Sequence, residues 1–140
     1  MAHEGAVRAL RNIHTALRPG GFLLDIQPEP KHPWVEVRTG IQTTRIGQLD
    51  ESFRIKMVLA ARTAVQRAVD AGWFAREHET TFIYTYHFAS VEAWQRHMAE
   101  HWSSALIPPG MAESAREMLS SEGGELCIPR EIHALRLRGL

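Results

Sequence analysis

The sequence predicts an α/β or α+β fold in which helices pack on a mixed, mostly antiparallel sheet of about five strands. Two observations predict it. Segments with an apolar residue every three or four positions alternate with shorter segments that are continuously apolar or apolar at every second position. The first spacing is typical of helices and the second of strands. A chain of 140 residues, 44% of them apolar, suits one domain, and residues 1–140 are taken as such.

A helix followed by a buried strand is predicted at the beginning of the chain. Apolar residues at helical spacing indicate a helix over residues 3–17, and Pro19, Gly20 and Gly21 end it. The next segment, FLLDIQP, is a short apolar run that predicts a buried strand over 22–28. The proline-rich residues 28–33 then form an extended loop.

The middle of the chain predicts a hairpin over about 34–49 and a long helix over about 51–71. Asp50 or Ser52 caps this helix and Gly72 ends it. Its apolar face is broad, so we expect burial against more than one neighbour.

The remaining elements are two strands separated by two helices. Strict alternation over 77–88 predicts a strand that is central or covered on both faces. Ser90 caps a helix that runs to about residue 104, and a short helix follows over 111–119. The final strand covers 125–137, where Pro129 marks an edge, a bulge or a strand start.

Composition excludes several classes of function. Sixteen basic residues balance sixteen acidic ones, so no general positive field exists for nucleic acid, and the basic end formed by Arg130, Arg136 and Arg138 is too short to imply one. No apolar run approaches the roughly 20 residues that cross a bilayer. Cys127 is the single cysteine, which excludes an internal disulfide. We expect a cytoplasmic protein without nucleic-acid or membrane partners.

The segment ALRNIHTALRPGGFLLDIQP resembles the second half of class I S-adenosylmethionine-dependent methyltransferases. In that family a similar helix ends in LRPGG, here Leu17 to Gly21, and leads into the fifth strand of a Rossmann-like, doubly wound sheet. The helix at 51–71 and the strands at 77–88 and 125–137 follow the family order. The resemblance implies that the last two strands form an antiparallel hairpin at one edge of the sheet.

The half of the family's domain that binds the cofactor has no counterpart in this sequence. The family holds its cofactor on a glycine-rich turn after the first strand, and none of the ten glycines here are spaced as G-x-G. We therefore expect a truncated methyltransferase-like protein that is non-catalytic or partner-dependent, with no catalytic residues and no cofactor of its own. S-adenosylmethionine would bind only if the missing half were supplied. The alternative is the C-terminal half of an active methyltransferase.

An unpaired strand predicts self-association. The strand at 22–28 is apolar on both faces and would normally have a neighbour on the missing side. We expect a homodimer, with a partner chain that completes the sheet as an alternative. The hairpin at 34–49 could instead cap this edge within one chain.

Four residues are candidates for ligand binding. Asp25 and Gln27 alternate at the carboxyl end of the first strand, where doubly wound sheets place ligands. Tyr86 and His87 on the aromatic strand complete the set, although aromatic residues at this spacing more often belong to the core. Cys127 is flanked by apolar residues, which favours an inert buried thiol over a nucleophile.

His97 and His101 are candidate metal ligands because they lie one helical turn apart in HMAEH. With Glu100 they match the H-x-x-E-H pattern of inverted zinc peptidases. No spacing supports a third ligand, so a structural or solvent-facing role is the simpler interpretation.

A second interpretation comes from FASVEAWQRHMAEHW. This segment is similar to one βα unit of dimeric α+β barrel proteins of the small monooxygenase type, through Phe88, Ser90, Glu92, Ala93 and His97. It implies a dimer with a ligand cavity inside a small barrel.

Overall fold

The computed structural model describes residues 2–140 as four helices and five strands. In chain order these are α1 (Ala2–Ala16), β1 (Phe22–Pro28), β2 (Trp34–Arg38), β3 (Thr43–Gln48), α2 (Ser52–Asp70), β4 (Phe74–Phe88), α3 (Val91–His101), α4 (Met111–Glu122) and β5 (Glu125–Gly139). The order is the predicted one, and the bounds differ by three residues or fewer. Within the described residues, no helix is both long and apolar enough to cross a bilayer.

The strands form one five-stranded sheet of the order β1–β5–β2–β3, with β4 also paired to β5. On β5, the later half pairs with β1 from Ile132 onward and the earlier half pairs with β2 up to Cys127. Pro129 falls in the gap between these two ladders.

All of these pairings are antiparallel, so the structure is α+β and the predicted mixture with parallel strands is wrong within residues 2–140. The strands β4 and β5 are also antiparallel, because Glu79 contacts His133 near one end whereas His87 contacts Glu125 near the other. The predicted helices and the approximate number of strands are confirmed.

The chain divides into two compact units, and β4 and β5 continue through both. Unit 1 comprises the chain up to Pro30, Ile55–Phe82 and Glu131–Leu140. In its core, apolar side chains of α1 and α2 cover one face of β1, β4 and β5. The buried members are Leu10, Ala64, Val65, Ala68, Phe74, Leu135 and Leu137.

Unit 2 comprises Lys31–Arg54 and Ile83–Arg130. Here α3 and α4 cover one face of β2 and of the earlier half of β5. The buried contacts include Val35, Val37, Val91, Trp94, Met98, Met111, Ala115, Leu126 and Ile128. The predicted cap of α3 is confirmed, since the Ser90 side chain accepts a hydrogen bond from the Ala93 backbone N–H.

One face and one edge of β1 are open. Leu23 packs on the core of unit 1, whereas Phe22, Leu24 and Ile26 on the opposite face are 51%, 55% and 58% exposed. The prediction of a fully buried strand is therefore wrong, because α1 and α2 pack in the same core and neither covers this second face. In the described residues β1 pairs only with β5, and the β2–β3 hairpin joins β5 rather than capping β1.

Two further burial predictions fail for similar reasons. The aromatic strand β4 pairs only with β5 in the part of the chain that the structure describes, so it is an edge strand, and Phe82 and Tyr84 are exposed. In α2 the buried residues lie on one side, while Phe53, Met57 and Leu59 remain exposed. An apolar pattern indicates a face that can be buried, but it does not supply the neighbour.

The turn between α1 and β1 has a local cause. Gly20 adopts a left-handed backbone with φ of 75°, and the N–H of Gly21 donates to the Arg18 carbonyl oxygen at 2.8 Å. Both features are common where a helix ends, so the Pro-Gly-Gly segment is explained by turn chemistry.

Candidate functional site

A polar pocket of about 510 Å³ lies in unit 1, at the carboxyl end of β1. We call it the Asp25 pocket. Its lining residues are Asp25, Glu29, Arg62, Val65, Arg76, Glu79, Thr80, Thr81, His133 and Leu135. Successive residues of β1 point to opposite faces, so Asp25 shares the face of Leu23 that α1 and α2 cover.

Most polar groups of the Asp25 pocket are already paired with one another. The Arg62 Nη2 donates to Glu29 Oε2 at 2.9 Å, and His133 Nε2 lies 2.5 Å from Glu79 Oε1. Gln27 Nε2 donates to Asp25 Oδ1 at 2.7 Å. Two half-buried residues keep a free polar atom, the acceptor Gln27 Oε1 and the donor Arg62 Nε. Both atoms are buried, and of these two residues only Arg62 lines the pocket.

The sequence-predicted residues Asp25 and Gln27 thus lie together, joined by the hydrogen bond from Gln27 Nε2 to Asp25 Oδ1. Sequence reasoning missed Arg62 and His133. They come from α2 and β5, and no local pattern connects them to β1.

The candidates Tyr86 and His87 belong to unit 2 and point to opposite faces of β4. Tyr86 packs edge-on against Trp102, with ring centroids 4.5 Å apart, and also contacts His97. It is part of an aromatic core cluster, as the structural interpretation of such residues predicted.

His97 and His101 are neighbours on α3, with ring centroids 4.8 Å apart. His97 is half-buried among aromatic rings, and its Nε2 has no hydrogen-bond partner. His101 is exposed beside Glu100. Among the side chains that the structure describes, from residue 4 onward, these two belong to no group of three potential metal ligands, so no third ligand for the zinc-peptidase pattern is found there.

His87 lies in a different cluster, with Glu125 and Cys127 of β5. Its Nδ1 is 3.0 Å from Glu125 Oε1 and 3.4 Å from Cys127 Sγ. The three potential ligand atoms all lie within 4.8 Å of one another. No spacing motif indicates this cluster, because His87 and Cys127 are 40 positions apart. The predicted hairpin of the last two strands was the signal that could have found it, since it makes these residues cross-strand neighbours.

The surroundings of Glu125 and Cys127 determine the protonation of these two side chains at neutral pH. The hydrogen bond with His87 lowers the pKa of Glu125, so this carboxyl is ionised at neutral pH. Burial raises the pKa of Cys127 to about 11, so the thiol is protonated at neutral pH. A protonated, buried thiol is a poor nucleophile, which argues against cysteine catalysis here.

A buried ion pair connects β5 to the residue before α2. Arg130 donates from both terminal nitrogens to the two carboxylate oxygens of Glu51, at 2.6 and 2.8 Å. The side chains are only 6% and 1% exposed. Arg130 also lies over the Trp102 ring. The interpretation of Arg130 as part of a basic end is therefore wrong.

Comparisons with protein-family models and with curated proteins find no match for this chain.

Proposed function

We propose that this chain forms the second half of a methyltransferase-like domain and acts as a non-catalytic or partner-dependent protein. By itself it does not bind S-adenosylmethionine in the manner of the family and does not transfer methyl groups. The observation that carries the proposal is the arrangement of unit 1, in which β5 lies between β1 and the edge strand β4.

The topology supports the resemblance in three respects. The helix α1 and its Pro-Gly-Gly turn lead into β1, and α2 then leads into β4. The strands β4 and β5 form an antiparallel pair at one side of the sheet, as the family's last two strands do. The open edge of β1 faces the side on which the family has further strands.

The residues present supply no replacement for the cofactor site. A G-x-G turn allows the backbone to approach a nucleotide closely, and the chain has none. In the Asp25 pocket the carboxylates of Glu29 and Glu79 each pair already with a side chain of the protein, Arg62 and His133, so ribose hydroxyls would compete with these partners.

Titration calorimetry with S-adenosylmethionine tests this proposal. We expect a Kd above about 1 mM, which corresponds to a binding free energy of less than about 4 kcal/mol. A complete class I methyltransferase under the same conditions is the positive control. One-site binding with a Kd near 1 μM, about 8 kcal/mol, would refute the proposal.

We also propose that the protein is a homodimer that acts in the cytoplasm and that two copies of β1 pair at their open edges. Antiparallel pairing centred on Leu24 sets this residue against the same residue of the second copy and Phe22 against Ile26. The three exposed apolar side chains then form one continuous stripe. Asp25 faces Leu23 of the second copy, so the arrangement sets no carboxylates opposite each other.

Leu24→Lys should shift the monomer–dimer equilibrium toward monomer by at least about tenfold, or 1.4 kcal/mol, because it sets two like charges at the two-fold axis. Sedimentation velocity over a concentration series measures this shift. Ile41→Lys is the matched control, since Ile41 is exposed in unit 2. A wild type that stays monomeric at high concentration, or a Leu24→Lys variant that dimerises as wild type does, would contradict the proposal.

A further inference from the structure

The cluster of His87, Glu125 and Cys127 brings together three kinds of ligand atom. Glu125 and Cys127 are two positions apart on β5 and therefore share a face, and His87 reaches them from the adjacent strand β4. The result is one nitrogen, one carboxylate oxygen and one sulfur within 4.8 Å of one another. All three residues belong to unit 2.

We propose that His87 Nδ1, the Glu125 carboxylate and Cys127 Sγ form a zinc site with a fourth position open to solvent. Sulfur, imidazole nitrogen and carboxylate oxygen are the ligands of Zn²⁺, whereas Ca²⁺ and Mg²⁺ take oxygen ligands. The mixed set therefore selects a metal of the zinc type over the abundant hard cations.

Two of the three separations are close to those of tetrahedral coordination. Bonds of about 2.3 Å to sulfur and about 2.1 Å to nitrogen place these two atoms about 3.6 Å apart in a tetrahedron. The observed separation of Sγ and Nδ1 is 3.4 Å. The Nδ1–Oε1 separation of 3.0 Å must open by about 0.4 Å, which a rotation of the half-exposed Glu125 side chain can supply.

Charge and exposure fit the same assignment. Zn²⁺ displaces the proton of the Cys127 thiol when it binds, and this proton goes to solvent. The resulting thiolate and the Glu125 carboxylate together neutralise Zn²⁺, so the filled site carries no net charge. The nearest residues on β2, Glu36 and Arg38, already pair with each other at 3.0 Å. Cys127 is 0% exposed, while the His87 and Glu125 side chains are 51% and 44% exposed. Solvent therefore reaches the cluster beside His87 and Glu125, which leaves room for a water ligand there.

The experiment is metal titration of the reduced, chelator-treated protein with Co²⁺ and Zn²⁺. We expect one equivalent of Co²⁺ to give tetrahedral visible absorption and a thiolate-to-cobalt charge-transfer band, and Zn²⁺ to displace it. A competing chromophoric chelator gives the affinity for Zn²⁺. Cys127→Ser should abolish the charge-transfer band and weaken zinc binding by about 100-fold or more, because even the loss of an outer-shell partner costs up to about that much.

Two further variants separate ligation from folding. Glu125→Gln alters a half-exposed side chain and should weaken binding while leaving the circular dichroism spectrum unchanged. His101→Ala removes an exposed histidine of the same unit that lies outside the cluster, and it should bind as wild type does. The proposal is overturned if the wild type binds no stoichiometric metal, or if Cys127→Ser and Glu125→Gln bind zinc with wild-type affinity.

Discussion

Replacing Arg130 with methionine should lower the free energy of unfolding by about 3–5 kcal/mol, because it leaves the Glu51 carboxylate buried without its bidentate partner. Glu51 is 1% exposed, and the next cation, Arg54, has its Nε 3.8 Å away. The change also removes the guanidinium that lies over Trp102. Urea unfolding followed by tryptophan fluorescence measures the loss.

The double variant Glu51→Leu/Arg130→Met is the informative comparison. It removes both charges, so it should recover most of the stability that the single variant loses. Arg116→Ala is the surface control, since the pair of Arg116 and Glu92 is exposed and should change stability by less than about 1 kcal/mol. If Arg130→Met costs no more than Arg116→Ala, the ion pair does not stabilise the fold.

Gly124→Ala should lower the free energy of unfolding by about 2–4 kcal/mol, because the backbone there is left-handed and the added methyl group overlaps a neighbouring strand. Gly124 has φ of 99°, and a Cβ placed there would lie 2.1 Å from the backbone carbonyl oxygen of Arg38. A backbone atom cannot move aside as a flexible side chain can. The ladder between β2 and β5 begins at this point, where Arg38 is opposite Glu125.

Gly123→Ala provides a matched control at the adjacent position. Gly123 also has a positive φ, of 70°, but a Cβ there meets nothing within 4 Å. Its substitution should lower the free energy of unfolding by less than Gly124→Ala does, by about 1–3 kcal/mol, because φ of 70° with ψ of −161° is a conformation that essentially only glycine adopts. Thermal or urea unfolding of the two variants compares them directly. Equal costs would mean that the close approach of Arg38 does not matter.

The sequence predicted the elements well because each has a local cause. The 3.6-residue and two-residue apolar periods, the Ser90 cap and the Pro-Gly-Gly turn all act within a few residues. The family resemblance stated on the LRPGG segment additionally implied that the last two strands pair, and the structure contains this pairing.

Burial and long-range pairing were harder to predict from the sequence. Phe22 and Leu24 were predicted to be buried because they are apolar, yet no element of the described chain covers that face. Glu51 and Arg130 are 79 positions apart, and nothing in either local segment indicates that they meet. The Asp25 pocket was half predictable, since strand position identified Asp25 but not its partners on α2 and β5.

The placement of β5 has a consequence for synthesis on the ribosome. This strand hydrogen-bonds to β1, β2 and β4, and its residue Arg138 pairs with Phe22. At about 5–20 residues per second, β1 waits on the order of ten seconds for its partner to be translated. During that interval the apolar strands of the nascent chain lack their hydrogen-bonding partner, so the sheet assembles late. A ribosome-associated chaperone therefore has time to bind the chain.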